Sequence, residues 1–167
     1  TRKESSAASD VYKRQAIVGE DGTTYYEGTV PLDQVVTESG SGNGNVTYAL
    51  GGVRNLPIQK QLFDLLSEAA KEAGVDVVVT SGGQVPTSEG GIKGRNRTGS
   101  NRHDKGYAAD VRVLDGDGTR LYTNNPAQLP IITKFIQACQ SRGATGVGCG
   151  NGYMSNGHIH VDIAWAG

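Results

Sequence analysis

The three histidines of the chain are its most informative residues, because all of them lie in two short segments that also contain aspartate. The first segment runs from His103 to Asp110, and the second contains His158, His160 and Asp162. Alternate side chains of a strand point to the same face, so we expect His158 and His160 to share one site. Two histidines and one carboxylate leave the fourth position of a tetrahedral zinc site open to water. The pattern therefore favours a catalytic metal site, in which bound water reaches a pKa of about 7.

Two helices are predicted to support these segments. Apolar residues recur at three- and four-residue spacing from Ile58 to Ala73, with Pro57 in the first turn and Gly74 just past the end. A second helix follows Asn125-Pro126 and ends at Gly143. Its predicted buried face consists of Leu129, Ile132, Phe135, Ile136 and Cys139.

Short β-type segments surround the helices. The predicted strands are Thr23–Tyr26, Val46–Leu50, Val75–Thr80, Ala108–Leu114, Arg120–Tyr122, Thr145–Val147 and His158–Trp165. The Asp-Gly-Asp-Gly sequence at 115–118 predicts a turn and not a calcium loop, since the later ligands of an EF-hand are missing. Helices and strands in this order predict an α+β domain with a small antiparallel sheet and flanking helices.

The chain divides into three parts. Residues 1–15 are polar and basic, and we interpret them as a disordered tail, a linker or a sequence-library remnant. Residues 16–56, with a Gly/Ser-rich spacer at 39–44, are taken as an N-terminal extension of the main domain at 57–167. Within that domain, residues 81–102 form a loop long enough to be either functional or disordered.

Composition excludes several classes of protein. The net charge is −1 over 167 residues, which removes the electrostatic case for binding nucleic acid. No apolar run approaches the ~20 residues of a membrane span, and the 25 glycines show no collagen period. Cys139 and Cys149 fit neither a redox nor a zinc-ribbon motif, so they are either buried thiols or one disulfide. No signal peptide is visible, and we expect a monomer.

The histidine segments resemble those of the zinc D-Ala-D-Ala carboxypeptidase group of metallopeptidases, whose fold is shared with the hedgehog signalling domain. The family form H-x-x-G-x-A-x-D is matched by His103, Gly106, Ala108 and Asp110. The family's H-x-H motif near the end of the domain is matched by residues 158–160, and the upstream T-S-G by residues 80–82. The resemblance covers about two thirds of the chain and implies a hedgehog/DD-peptidase-like fold.

The resemblance also implies roles for individual residues. It makes His103, Asp110 and His160 zinc ligands, and it makes His158 the catalytic group that contacts the attacking water or the tetrahedral intermediate. Asp162 lies on the same predicted strand face as His160, where it is either a partner that orients a ligand histidine or a solvated charge.

Substrate binding is less well matched. The family often has Tyr-Arg after T-S-G, and its Arg grips a substrate carboxylate, whereas Gly83-Gln84 stand here. We therefore place Ser81 and Gln84 at the site and consider the loop arginines as replacement anchors, although a solvated loop charge is the alternative for each. These arginines are Arg95, Arg97 and Arg102.

Together these features predict a zinc-dependent peptidase that hydrolyses peptidoglycan stem peptides. Members of the group either trim D-Ala termini or cut the L-Ala–D-Glu bond, as many phage endolysins do. We expect a site of action outside the cytoplasm, at the cell wall or in the periplasm, and a phage-type lytic enzyme. The alternative is a non-catalytic, zinc-containing binding module of a cell wall or virion, with His158 as a fourth ligand that closes the site.

Overall fold

A five-stranded sheet with two helices on one face forms the body of the protein. The computed structural model describes residues 11, 13–32, 41–150 and 153–163. Most of the tail predicted at 1–15, part of the Gly/Ser-rich spacer and the last residues of the predicted terminal strand lie outside this part of the chain. None of the helices found within it is long and apolar enough to span a bilayer.

Ten elements lie along the described chain, one of them a single 3₁₀ turn at Thr87–Glu89. The helices are α1 (Lys60–Ala73) and α2 (Leu129–Ser141). The strands are β1 (Ala16–Val18), β2 (Thr24–Tyr26), β3 (Val46–Tyr48), β4 (Asp76–Ser81), β5 (Ala108–Leu114), β6 (Gly146–Gly148) and β7 (Ile159–Asp162). The predicted α+β class is therefore confirmed.

The main sheet has the strand order β3-β4-β5-β7-β6, and β1 and β2 form a separate antiparallel pair. The prediction of an antiparallel sheet was wrong for one strand, because β3 runs parallel to β4. The chain passes from β3 to β4 through α1, and a helical crossover of this kind returns the chain in the same direction. The sheet is therefore mixed. β3 belongs to it although it lies in the segment taken as an N-terminal extension.

The two faces of the main sheet differ in chemistry. The first face carries the alternate residues of β4, β5 and β7, among them Val77, Val111 and Val161, all buried under α1 and α2. The helices meet each other, and Arg142 pairs with Glu68 and Glu72 across them. The opposite face, which we call the open face, carries Asp110, Arg112, His160 and Asp162, since alternate residues share a face.

The helix boundaries follow from local contacts. α1 begins three residues after Pro57 because Gln59 is still extended, and its N–H bonds to the carbonyl of Gly106. It ends at Gly74, whose φ of 71° any other residue would adopt only at a cost. In α2, Leu129 is 43% exposed although it was predicted to be buried, whereas Ile132, Phe135 and Cys139 are buried.

One of the predicted strands is absent from the described part of the chain. Residues 120–122 do not form a strand, and only Arg120 makes a bridge, to Leu114. The turn before them is confirmed, because the Asp115 carboxylate accepts from the N–H groups of Asp117 and Thr119. Among the described residues, both cysteines are free thiols, and burial raises the pKa of Cys139 to about 12.

Candidate metal centre

Two antiparallel strands bring the candidate ligands Asp110 and His160 together. In the β5–β7 ladder these residues stand directly opposite each other. Cross-strand partners place their side chains on the same face, here the open one. The Nδ1 atom of His160 lies 3.0 Å from Oδ1 of Asp110. Strand register alone therefore joins two of the three predicted ligands.

The third histidine, His103, comes from the loop between β4 and β5 and is only 1% exposed. Its Nδ1 lies 2.8 Å from the carbonyl oxygen of Gly82. A carbonyl accepts only, so Nδ1 carries the hydrogen and Nε2 carries the lone pair. Nε2 lies 3.5 Å from Oδ1 of Asp110. The lone pair needed for a metal thus faces the carboxylate.

Glycine at position 106 makes this arrangement possible. The chain turns between His103 and β5 with φ of 89° at Gly106, a conformation that favours glycine. A Cβ atom there would lie only 2.7 Å from the carbonyl oxygen of Pro57. The glycine of the H-x-x-G pattern is therefore required by packing as well as by the turn.

The two histidines of the group have opposite pKa shifts. Burial lowers the pKa of His103, and this outweighs the neighbouring carboxylate of Asp110. Burial also opposes the charge of His160, but its hydrogen bonds to Asp110 and Asp162 outweigh burial and raise its pKa. Burial raises the pKa of Asp110, but its bonds to both histidines outweigh burial and hold the pKa of that carboxyl well below its usual range.

His103, Asp110 and His160 form a group that could hold a metal ion. One ligand atom from each residue lies within 4.8 Å of the others, and all three residues are buried. Two imidazole nitrogens and one carboxylate oxygen are donors that suit several transition metals, zinc among them.

Asp162 lies against the far side of His160. Its carboxylate is fully buried, and Oδ2 lies 2.8 Å from Nε2 of His160. Thr145 donates to Oδ1 at 2.7 Å and Arg102 donates to Oδ2 at 3.0 Å. A carboxylate on the outer nitrogen fixes the ring and its tautomer, as for most metal-bound histidines.

His158 lies outside the group of three. It directly precedes β7 and is partly exposed, with Nδ1 2.6 Å from the hydroxyl oxygen of Ser155. Burial, followed by the charges of Arg120 and Arg112, lowers its pKa. The imidazole of His158 is thus favoured in its neutral form, beside the candidate metal centre rather than within it.

The candidate substrate residues fall into two sets. Gln84 and Arg97 are buried, and their side chains bond within the loop, including to the same oxygen of Asp104 at 2.8 and 2.9 Å. They stabilise the loop and do not face solvent. Ser81 stands opposite Asp110 in the ladder, and Arg102 reaches the candidate centre through Asp162. Arg95 is exposed.

Two residues at the candidate centre were missed by sequence reasoning. Nη1 of Arg54 lies 2.6 Å from Nε2 of His103 and donates to Oδ2 of Asp110 at 2.8 Å. The ring of Tyr153, which is 59% exposed, lies 6.3 Å from that of His160. Nothing in the sequence around either residue distinguishes it from an ordinary loop residue.

Comparison with known proteins adds no relative. No protein-family model, no curated protein and no solved structure matches the chain.

Proposed function

We propose that the protein is a zinc-dependent peptidase that hydrolyses peptidoglycan stem peptides, either as a D-Ala-D-Ala carboxypeptidase or as an L-Ala-D-Glu endopeptidase. The observation that carries the proposal is the buried group of His103, Asp110 and His160. Motif resemblance had named the same three residues as zinc ligands. Such an enzyme would act at the cell wall or in the periplasm.

The donor set fits zinc. Nε2 of His103 carries a lone pair, which Arg54 occupies in the absence of metal, and the outer nitrogens of both histidines have acceptors in Gly82 and Asp162. These are the supports that metal-ligating histidines normally have. Three protein ligands from a mixed nitrogen and oxygen set are also the number found in catalytic zinc sites, where the fourth position is open.

Zinc bound by these residues would acidify a water molecule and polarise the scissile carbonyl. Arg54 donates to Oδ2 of Asp110, an oxygen that does not face the histidines. Its second bond, to the lone pair of His103, is incompatible with a metal on that lone pair. The N–H group released in this way is available to a substrate oxygen, where a guanidinium stabilises developing negative charge.

His158 is the group we assign to proton transfer. Its lowered pKa keeps the imidazole neutral near pH 7, the form that accepts a proton. The bond to Ser155 holds the ring through Nδ1, which leaves Nε2 for the exchange with water or the leaving amine. The position of His158 next to β7, but outside the group of three, suits a group that acts without ligating the metal.

The test is mass spectrometry of soluble fragments from purified peptidoglycan, incubated with protein of measured zinc content, with and without a chelator. We expect chelator-sensitive release of peptides, restored by zinc, and the new termini identify the bond. No release from zinc-loaded protein across several peptidoglycan types would contradict the proposal and favour the non-catalytic binding module.

Three variants sharpen this test. His160→Ala is expected to lose both zinc and release, whereas His158→Ala is expected to keep zinc and lose most turnover. Lys134→Ala, at an exposed position of α2, serves as the control and is expected to keep both. A His160→Ala protein that holds zinc at full stoichiometry would show that the ligand assignment is wrong.

A further inference from the structure

Two arginines on the open face have buried side-chain N–H groups with no acceptor. Within the described residues, Nε of Arg112 and Nε of Arg120 have no hydrogen-bond partner. A buried donor left without a partner costs about 1–3 kcal/mol, so each such group calls for an explanation. No other buried side-chain nitrogen or oxygen in the described part of the chain is in this state.

Strand geometry places Arg112 beside the candidate metal centre. It lies two residues after Asp110 on β5 and therefore shares the open face. In the β5–β7 ladder, Val111 pairs with Ile159, so Arg112 and His158 are the next positions along the two strands. Residue 112 thus stands at the next position along this face from the pair of Asp110 and His160.

Arg120, which follows β5 in the chain, lies next to the same segment. Its Nη2 donates to the carbonyl of Gly157 at 3.0 Å, directly before His158. Its Cζ atom lies 5.0 Å from the ring centre of Tyr122, which holds the guanidinium by a cation–π contact. Arg112 and Arg120 therefore both neighbour the segment Gly157-His158.

Nearby carboxylates are already engaged. Asp110 bonds to Arg54 and to both histidines of the centre, and Asp162 bonds to Arg102, Thr145 and His160. None of the ion pairs formed between described residues includes Arg112 or Arg120. Within the described residues, Arg112 and Arg120 each have a buried Nε without an acceptor beside the same strand segment, and two guanidiniums of this kind attract an external anion.

We propose that Arg112 and Arg120 form an anion subsite that binds a carboxylate group of the substrate, one strand position from the candidate metal centre. The planar fork of a guanidinium matches a carboxylate better than it matches a spherical ion. The identity of the ligand as a peptide carboxylate rests on the proposed function, whereas the binding of an anion does not. The subsite would supply the carboxylate anchor that the residues after Ser81 lack.

The experiment compares N-acetyl-D-alanine with its uncharged amide, neither of which contains a stem-peptide bond. Both are titrated into the purified protein, and binding is followed by the shifts of backbone amide NMR signals near residues 112, 120 and 158. We expect the acid to bind at least about tenfold more tightly than the amide, as for hydrogen bonds to a charged group. Equal binding of acid and amide would overturn the proposal.

Variants locate the site. Arg112→Gln and Arg120→Gln are each expected to weaken binding of the acid about tenfold and leave binding of the amide unchanged, while Lys134→Gln, at an exposed position of α2, alters neither. Where a Gln variant fails to fold, Arg112→Lys retains the charge and loses the fork, so it is expected to bind the acid more weakly than the native protein. If the acid binds at the metal instead, its affinity would be the same in all of these variants. This result would also overturn the proposal.

The outcomes separate this inference from the proposed function. Preference for the acid that depends on Arg112, together with no release from peptidoglycan, supports the subsite and contradicts the peptidase. Chelator-sensitive release without that preference supports the peptidase and contradicts the subsite. Inorganic phosphate serves as a second probe, and tighter binding of phosphate than of the acid would contradict the assignment of a carboxylate.

Discussion

The loop that carries His103 and the segment that carries His158 and His160 reach the same site by different means. The first, residues 82–107, is held by buried side chains, above all Arg97, whose guanidinium bonds to Asp104 and to several backbone carbonyls. The second, residues 153–162, ends in β7, which is fixed by its pairing with β5 and β6, and it exposes Tyr153 to solvent. The difference shows that a ligand from a loop needs a buried scaffold, whereas a ligand from a strand is positioned by register.

The two histidines of the candidate centre also differ in their surroundings. His103 faces a carbonyl and a guanidinium, which favours the neutral ring. His160 lies between two carboxylates, which favours the protonated ring and raises its pKa. In the absence of metal, positive charge at the centre is thus supplied by Arg54 and His160. A metal ion would have to displace both the bond from Arg54 and a proton of His160.

The largest expected effect is on the scaffold of the first loop. Arg97→Ala is expected to lower the free energy of unfolding by about 3–5 kcal/mol, because it leaves the buried carboxylate of Asp104 without its cation. Denaturation with urea measures this change. The exposed neighbour Arg95→Ala is the control and is expected to stay within about 0.5 kcal/mol. Equal effects of the two substitutions would show that the first loop has no such scaffold.

The next effect concerns the support of the strand histidine. Asp162→Asn is expected to weaken zinc binding about 10- to 100-fold, since the carboxylate that orients His160 is replaced by an amide. Competition with a chromophoric chelator measures the affinity. Asp117→Asn, in the exposed turn after β5, is the control. Unchanged affinity in the Asp162 variant would mean that register alone orients the ring.

The opposite pKa shifts predict how zinc affinity depends on pH. Zinc takes the deprotonated ring, and the raised pKa means that His160 without metal keeps its proton above pH 6.5. Affinity is therefore expected to fall as pH decreases from above 6.5, by up to about tenfold per pH unit for one proton. His103, whose pKa is lowered, would contribute only below that range.

Calorimetry in two buffers of different ionisation enthalpy checks this expectation. An unshifted histidine would release about half a proton per zinc at pH 6.5, so release of more than that at this pH would agree with it. In the metal-free protein the raised pKa of His160 stabilises the fold at low pH, whereas the same shift weakens zinc binding at low pH. The contribution of His160 is fully present below the unfolded pKa of about 6.5 and is lost as pH rises through its folded pKa. Zinc binding without proton release near pH 7 would contradict the shift.

The smallest effect is expected in the second segment. Ser155→Ala removes the hydroxyl that bonds to His158 at a solvent-exposed position. We expect the free energy of unfolding to change by no more than about 0.5 kcal/mol, with unchanged zinc affinity. Thermal denaturation and the chelator assay measure the two quantities. A loss as large as that of Arg97→Ala would show that both segments depend on buried side-chain bonds.

Much of the fold followed from local pattern. The helical period from Leu62 to Ala69 predicted α1 and its buried face, and Gly74 marked its end. β5 was predicted with its exact bounds, because alternation and β-branched residues agree there. The parallel pairing of β3 was missed, since strand direction depends on a crossover between distant segments and leaves no signal in three residues.

At the candidate centre, the histidine and aspartate residues were predicted, whereas the arginine was not. The chain has only three histidines, and the resemblance of their two segments to zinc-peptidase motifs named the group of His103, Asp110 and His160. Arginine is common and long, so neither Arg54 at the centre nor Arg97 in the loop could be assigned from spacing. Their positions depend on burial and on partners far away in sequence, and these are fixed only by tertiary structure.

The strand order has a consequence for how a long ligand can approach. Within the described chain, the outermost strands β3 and β6 have only three residues each. Such short borders offer few free backbone groups to an added strand, and this limits aggregation of the sheet with other chains. An extended polymer would also gain little by lying along either border.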